Sequence, residues 1–459
     1  MLDGKEHARE LEKKEEAELG KYALRSSERR RTVERFREKD AGPLEFRTEY
    51  HRDRDRIVWS TAFKRLQHKT QIFPHYVEDH YRRRLTHTLE VAQIATTLAR
   101  ALRLNEVATE AIALGHDLGH TPFGHGGEKA LNDLLLDKLR ERLGKKASKR
   151  QLRPADVLNT PVPLFGFDHC MQGVEQVTRV SHEYETEVGV GVGLNLSYDV
   201  RDGILKHIFD RGEKEANEKH EYLSCLKNIV RIDKFSEYGS NNGSLEAQCV
   251  WLADKLAYLL GDIEDALRAR IFTYRKIEED PLCSEIWDAY RSRRTSAEAK
   301  PHIFDMTTYL RFRRNAITAI ILDAQQNAAQ KIEDAGLESV EQVFAVHERL
   351  VDVSPRIRCA WNHFHKEKMQ EKLYKHFEVE HCAFKAKHIV TDLFEAFYDT
   401  PELIPSEFRD RTSKVYDRLL EVDQIRLMTV RNYIAGMTDP FATEHHKRLF
   451  MSSEKASLH

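Results

Sequence analysis

Apolar residues recur along most of this chain three and four positions apart, and alternating strand-like runs are scarce. The pattern predicts a mainly α fold. Residues 50–70 ("YHRDRDRIVWSTAFKRLQHKT") read as one arginine-rich helix with Ile57, Phe63 and Leu66 inward. Helices are expected at about 84–103 and 105–118, and a Pro/Gly turn in "TPFGHGGEKALNDLLLDKLRERL" leads into another. Shorter ones follow at 168–184 and 199–209, then a long helix from near Leu245, after the linker "YGSNNGS". From there to about 436 the chain reads as helical, with loops near 294–303, 352–356 and 400–406. The stretches "GKKASKRQLRPADVLNTPVPLFG" and "EVGVGVGLNL" read as connections. The second has the glycines of a phosphate loop without its GK[ST].

The same periodicity places chemistry on the buried faces. His87, Val91, Ile94, Leu98 and Leu102 share one stripe, so His87 sits at the end of a core-facing seam. His116 and Asp117 close the next helix with two donor side chains about 100° apart. Far along the chain, Val250, Asp254, Tyr258 and Asp262 follow one another at i+4 steps. A carboxylate on such a stripe needs compensation, because an unpaired buried charge costs several kcal/mol. One divalent ion held by His87, His116, Asp117 and Asp254 would satisfy all four. The alternative is a hydrogen-bonded core histidine and an Asp254–arginine pair, and spacing alone leaves both readings open. Just beyond, His125 and Glu128 stand at i and i+3, where a carboxylate can orient an imidazole and raise its basicity.

Bulk properties narrow the class without naming it. The 459 residues are 41% hydrophobic and 32% charged, which suits a globular chain with a sizeable core. Lys+Arg 73 against Asp+Glu 75 leaves a net charge of -2, so no global field points to nucleic acid or membrane. No run approaches the ~18 apolar residues of a membrane span, and the charged N-terminus lacks a signal peptide's apolar region. The six cysteines are scattered without a C-x-x-C pair, as expected of free thiols in a reducing cytoplasm. Local basic runs, with arginines at 29–37 and 47–56, read mainly as solvated helix faces.

The order H…HD…D resembles the HD-domain phosphohydrolases. The surrounding text is similar to one branch of them, the deoxyguanosine triphosphate triphosphohydrolase-like proteins. The phrases that carry the likeness are "RTEYHRDRDRIVWSTAFKRLQHKTQIF", "DHYRRRLTHTLEVAQIA", "GHDLGHTPFGHGGEKALN", "GLNLSYDVRDGILKH", "ADKLAYLLGDIEDAL" and "RNYIAGMTD". This resemblance implies a charged N-terminal arm (1–46), an HD-domain helical core (47–275) and additional C-terminal helices (276–459) packing on it. It implies the metal ligands named above, a catalytic pair of His125 and Glu128, and one divalent ion from among Mn, Mg, Ni, Co, Fe and Zn.

By the same resemblance Arg84, Lys255 and Tyr258 contact phosphate and sugar, and Gln71 reads the 3′-hydroxyl. Asp262 lies beside the sugar, and His120 and Lys206 are candidates for phosphate oxygens. The plain readings are a salt-bridging surface role for Arg84, an ordinary core role for Tyr258 and an Asp262–Arg268 pair. The implied reaction splits a deoxynucleoside triphosphate, dGTP first among them, into deoxynucleoside and inorganic triphosphate. A homo-oligomer, often a hexamer, and an activating second nucleotide are also implied. The rivals are other HD phosphohydrolase activities (on nucleoside monophosphates, cyclic nucleotides or guanosine tetraphosphate) and a regulator that binds single-stranded nucleic acid without turnover. Relatives usually carry "FEHN" where this chain has Phe167-Asp168-His169-Cys170, and alanine is common where Gly115 stands. A thiol in place of the Asn amide removes hydrogen-bonding capacity and puts base preference in question.

Overall fold

The computed structural model describes residues 4–27, 46–71, 82–142, 166–184, 193–206, 242–291, 302–416 and 420–451. Among them there is no strand, only an isolated antiparallel bridge between Thr70 and Arg83. The mainly α expectation holds.

An N-terminal helix α1 (Gly4–Glu18) leads to Ala23 and Leu24, which are buried in the main core. The region expected as one helix is two, α2 (Glu49–Trp59) and α3 (Thr61–Arg65), followed by a 3-10 turn at Leu66–His68. Ser60 makes the break. Its backbone is extended and its side chain accepts from the Phe63 N–H, a local bond that competes with continuing the helix. Ile57, Phe63 and Leu66 are buried as the pattern required.

Three helices make the centre: α4 (Arg84–Ala101), α5 (Glu106–Gly115) and, after α6 (Gly124–Arg142), α7 (His169–Glu175) and α8 (Tyr198–Lys206), the long α9 (Leu245–Arg268). Side-chain caps start two of the three: Asn105 accepts from Ala108 N for α5, and Ser244 accepts from Ala247 N for α9. Helix α4 packs on both α5 and α9, burying Val91, Ile94 and Leu98. Each such side chain contributes about 1.5–3 kcal/mol relative to exposure, so the seam that ends in His87 is held firmly.

The C-terminal half adds α10 (Tyr274–Glu278), α11 (Pro281–Arg291), α12 (Met306–Asp334), α13 (Val340–Ala345) and α14 (Pro355–Phe364), with a π-helical turn at His365–Leu373. Then come α15 (Phe377–Asp399), α16 (Ser406–Tyr416), α17 (Val422–Ala435) and a further helix beyond the expected limit, α18 (Asp439–Phe450). These last four do not simply lie on the core. Ala130, Leu131 and Leu135 of α6 join Val390, Phe394, Phe397, Met428 and Ile434 in a second apolar cluster.

No disulfide links the described cysteines. No helix among the described residues is long and apolar enough to cross a membrane. The basic stretches at 29–37 and 143–153, and Gly189 and Gly191 of "EVGVGVG", lie outside the described residues, while Gly193 is described with φ 63°. Arginines in 47–56 are already engaged: Arg47 and Arg54 with Asp55, Arg52 with Glu49, and Arg56 with the Leu194 and Asn195 carbonyls.

Candidate metal centre and active site

Helices α4, α5 and α9 deliver two imidazoles and two carboxylates to one spot. His87 Nε2 lies 2.8 Å from Asp254 Oδ1 and 3.9 Å from Asp117 Oδ2. His116 Nε2 lies 3.3 Å from Asp117 Oδ1 and 3.7 Å from Asp254 Oδ1. Donor atoms of His87, His116 and Asp117 all fall within 4.8 Å of one another, and these three side chains are buried. Asp254 thus pairs with a histidine.

The donor set fits a divalent cation. His116 faces the Ala113 carbonyl through Nδ1 at 2.7 Å, which leaves Nε2 as the ligand atom and fixes the ring. Burial lowers the pKa of His87 despite the Asp254 hydrogen bond and charge, favouring the neutral ring that ligates. At His116 burial is outweighed by the Asp117 and Asp254 carboxylates, and its pKa is raised. That same negative field would hold a cation.

Arg84 opens α4 and is 1% exposed, not a surface residue. Its Nη1 donates to Asp117 Oδ2 at 3.0 Å, while Nε and Nη2 have no hydrogen-bond partner among the described residues. Gln71 Oε1 and His120 Nδ1 are buried in the same condition. Buried polar atoms left unmade cost about 1–3 kcal/mol each, so their accumulation beside the cluster marks a place for a polar ligand.

The turn after α5 carries His120, and His125 follows at the start of α6. Gly119 must be glycine, because a Cβ there would lie 2.0 Å from the His169 carbonyl oxygen and 2.1 Å from Gly173 N. This close approach seats α7 against the turn. His120 Nε2 is 3.1 Å from Asp117 Oδ1, and burial with the Arg84 charge holds its pKa well below the usual value.

Glu128 is the hub of a second cluster. Its Oε2 lies 3.6 Å from Nδ1 of both His125 and His120, while Oε1 lies 2.9 Å from His169 Nδ1 and accepts from His169 N at 3.1 Å. The tight partner of Glu128 is therefore His169, not His125, whose side chain is 62% exposed. His169 stacks on His120 with ring centroids 3.9 Å apart. Burial opposes charge on His169, yet the Cys170 sulfur and the Glu128 carboxylate hold its pKa well above the ordinary imidazole value. Burial also pushes the Cys170 thiol up to about 11. With that thiol protonated at neutral pH, the carboxylate is the charge that sustains the imidazolium. Burial would raise Glu128 too, but the His169 charge keeps it well below its usual range.

The spacing of His125 and Glu128 gave no hint of His169. Its one local signal is Asp168, which caps α7 by accepting from Cys170 N and Met171 N.

On α9, Lys255 and Tyr258 are half-buried, with the Tyr258 ring 6.5 Å from that of His125. Asp262 is fully buried and accepts from the Tyr374 hydroxyl at 2.9 Å, while Arg268 pairs with Glu264. Tyr374, from the C-terminal half, was not expected at the site; its ring lies 6.2 Å from that of Tyr258. Lys206 ends α8, and its side chain lies outside the described residues.

Known proteins resemble this chain over most of its length. The HD domain model matches residues 84–259, a span that runs from Arg84 past Asp254, and a phosphohydrolase-associated domain model matches 351–448. Curated relatives called deoxyguanosinetriphosphate triphosphohydrolase-like proteins cover nearly the whole chain. One from Mesorhizobium japonicum is 35% identical over 88% of this chain and 89% of its own length. One from Brucella ovis is 37% identical over 88% and 90%, and one from Azoarcus sp. (strain BH72) is 35% identical over 96% and 99%. The α4–α5–α9 core with its His/Asp cluster is thus an HD domain of the hydrolase class. The chain belongs to the family of deoxyguanosinetriphosphate triphosphohydrolase-like proteins.

Proposed function

We propose that this protein hydrolyses a deoxynucleoside triphosphate, dGTP foremost, to deoxynucleoside and inorganic triphosphate. The observation that carries the reading is the set of buried polar atoms of Gln71, Arg84 and His120 left without a hydrogen bond beside the donor cluster of His87, His116 and Asp117. A polyanion would engage the free guanidinium nitrogens of Arg84, with Lys255 and Lys206 as further cations for the phosphates. The relatives' printed names supply the choice of dGTP.

His87, His116, Asp117 and Asp254 would hold the divalent ion, Mn, Fe, Co, Ni, Zn or Mg. When bound, it supplies Lewis-acid polarisation of a phosphoryl oxygen and lowers the pKa of water. In the reaction, water oxygen bonds to the α-phosphorus as the bond to the 5′-oxygen breaks. His125 has Nδ1 toward Glu128 and its other ring nitrogen left for the substrate. It serves as the proton-transfer group at the 5′-oxygen, where such catalysis contributes about 10²–10⁴-fold. Glu128 orients it, and the His169 imidazolium fixes the carboxylate and adds positive charge facing the phosphates.

Asp262, Tyr258 and Tyr374 form the wall for the sugar, and Gln71 is the group for the 3′-hydroxyl. Close packing of Asp262 against Tyr374, whose hydroxyl it accepts, would leave no room for a ribose 2′-hydroxyl, which favours deoxynucleotides. A homo-oligomer, with a second nucleotide as activator, belongs to the same reading.

Incubation of the protein with each dNTP and Mn²⁺ or Mg²⁺, with products resolved, tests it. Free triphosphate and deoxynucleoside are expected. Orthophosphate or pyrophosphate would point to another HD phosphohydrolase activity. No turnover, with salt-sensitive binding of single-stranded nucleic acid, would make the chain a regulator.

A further inference from the structure

Asp439 begins α18 and is 2% exposed. Its carboxylate, which can only accept, is used by two segments far away in sequence. Oδ1 accepts from Phe123 N at 2.8 Å, and Oδ2 accepts from Thr70 N at 3.0 Å and from the Thr70 hydroxyl. Thr70 adjoins Gln71, and Phe123 lies two residues before His125.

The turn at Phe123 needs holding. Phe123 has φ 64° and Gly124 φ 58°, both in the left-handed region where a side chain such as that of Phe123 is crowded. The turn also touches its neighbours closely. A Cβ at Gly124 would lie 3.1 Å from Gln71 O and 3.4 Å from Arg84 Nη2. A second tie runs parallel to the first: Lys69 Nζ donates to Ala435 O at 2.9 Å and to the His120 carbonyl. Both ties end in the segment 435–439, whose helices share an apolar cluster with α6.

We propose that Asp439 is a positioning residue, the clamp by which the C-terminal helices hold the His120–His125 turn against Gln71 and Arg84. The kinetic part of this proposal rests on the hydrolase reading above. It gives the end of the phosphohydrolase-associated segment a task in catalysis through the turn it holds.

Asp439→Asn in the full chain is the test, because it keeps the shape but sets an amide N–H against a donor. Three quantities are compared with the parent: kcat and KM for dGTP, Mn²⁺ bound per chain, and hydrogen exchange of the segment 120–126. Expected are a fall in kcat of about 10- to 100-fold, the scale of a small misplacement of a reacting group, and faster exchange in 120–126. Mn²⁺ binding and exchange in α4 should not change. The clamp is overturned if exchange in 120–126 stays at the parent level, if kcat stays within about twofold, or if Mn²⁺ is lost together with kcat. Should the Asn variant fail to fold, Thr70→Val removes one of the three donors. It should move kcat and exchange the same way by a smaller factor, and no movement in either overturns the clamp. A parent chain that hydrolyses no dNTP defeats the proposed function instead, while the exchange measurement still decides the clamp.

Discussion

His87 Nε2 and Asp254 Oδ1 lie 2.8 Å apart although 167 residues separate them in sequence. The contact joins the first turn of α4 to the middle of α9, and both residues face the His116–Asp117 pair. Replacing Asp254 with alanine removes the proposed oxygen ligand and leaves His87 buried without that partner. Mn²⁺ affinity should fall on the order of 100-fold or more, since even residues that merely support a ligand are worth 10–100-fold. Isothermal titration of both proteins measures it, and equal affinities would remove Asp254 from the site.

Glu128 holds the charge on His169, and the sign of its effect on pH dependence follows. The carboxylate raises the imidazole pKa, so the protonated ring persists to higher pH than an isolated histidine would. Glu128→Gln removes that charge and leaves burial opposed by the Cys170 sulfur alone. The basic limb of kcat against pH should therefore move to lower pH, and the maximal rate should fall by about 10²–10⁴-fold. A variant whose basic limb stays in place would show that His169 is not the group titrating there.

Tyr374 reaches the site from the C-terminal half and donates to Asp262. Tyr374→Phe keeps the ring but removes the hydroxyl that fixes the Asp262 carboxylate, loosening the wall that would exclude a ribose 2′-hydroxyl. The ratio of kcat/KM for dGTP over GTP should drop by about tenfold, within the range set by a single polar contact. An unchanged ratio would place sugar discrimination elsewhere.

Gly119 tests the packing that brings α7 to the turn. A methyl group there would press on the His169 carbonyl at 2.0 Å, with backbone and not a flexible side chain in the way. Gly119→Ala should destabilise the fold by roughly 3 kcal/mol or more, in the range of severe overpacking. Thermal unfolding should begin several degrees lower, and a melting curve coincident with the parent's would contradict the close approach.

The parts of the His/Asp cluster were legible because they obey local rules, although spacing alone left open whether they hold a metal. The stripe from His87 to Leu102 follows helical periodicity, and His116 and Asp117 are adjacent. Asp254 stands out as a carboxylate between buried neighbours. What could not be read was contact made only by tertiary packing. His169 reaches Glu128 across 41 residues, and nothing in "FDHC" reports the distance. Tyr374 sits in the charged stretch "KEKMQEKLYK", whose π-helical turn has no simple period. Asp439 meets Phe123 across 316 residues. The helix break at Ser60 did leave a local trace, a serine three residues before the N–H it caps, but the apolar periodicity ran through it.

Among the described residues, three groups of donors could each take a cation: His87, His116 and Asp117; Asp117, His120 and His169; and Glu128, Asp168 and His169. Anomalous scattering from a crystal of the Mn²⁺-loaded protein separates them in one measurement. The expected peak is bonded to His87, His116, Asp117 and Asp254 at about 2.0–2.3 Å. A peak on Glu128 and His169, or none near Asp254, would contradict the assignment of ligands and of proton-transfer groups alike.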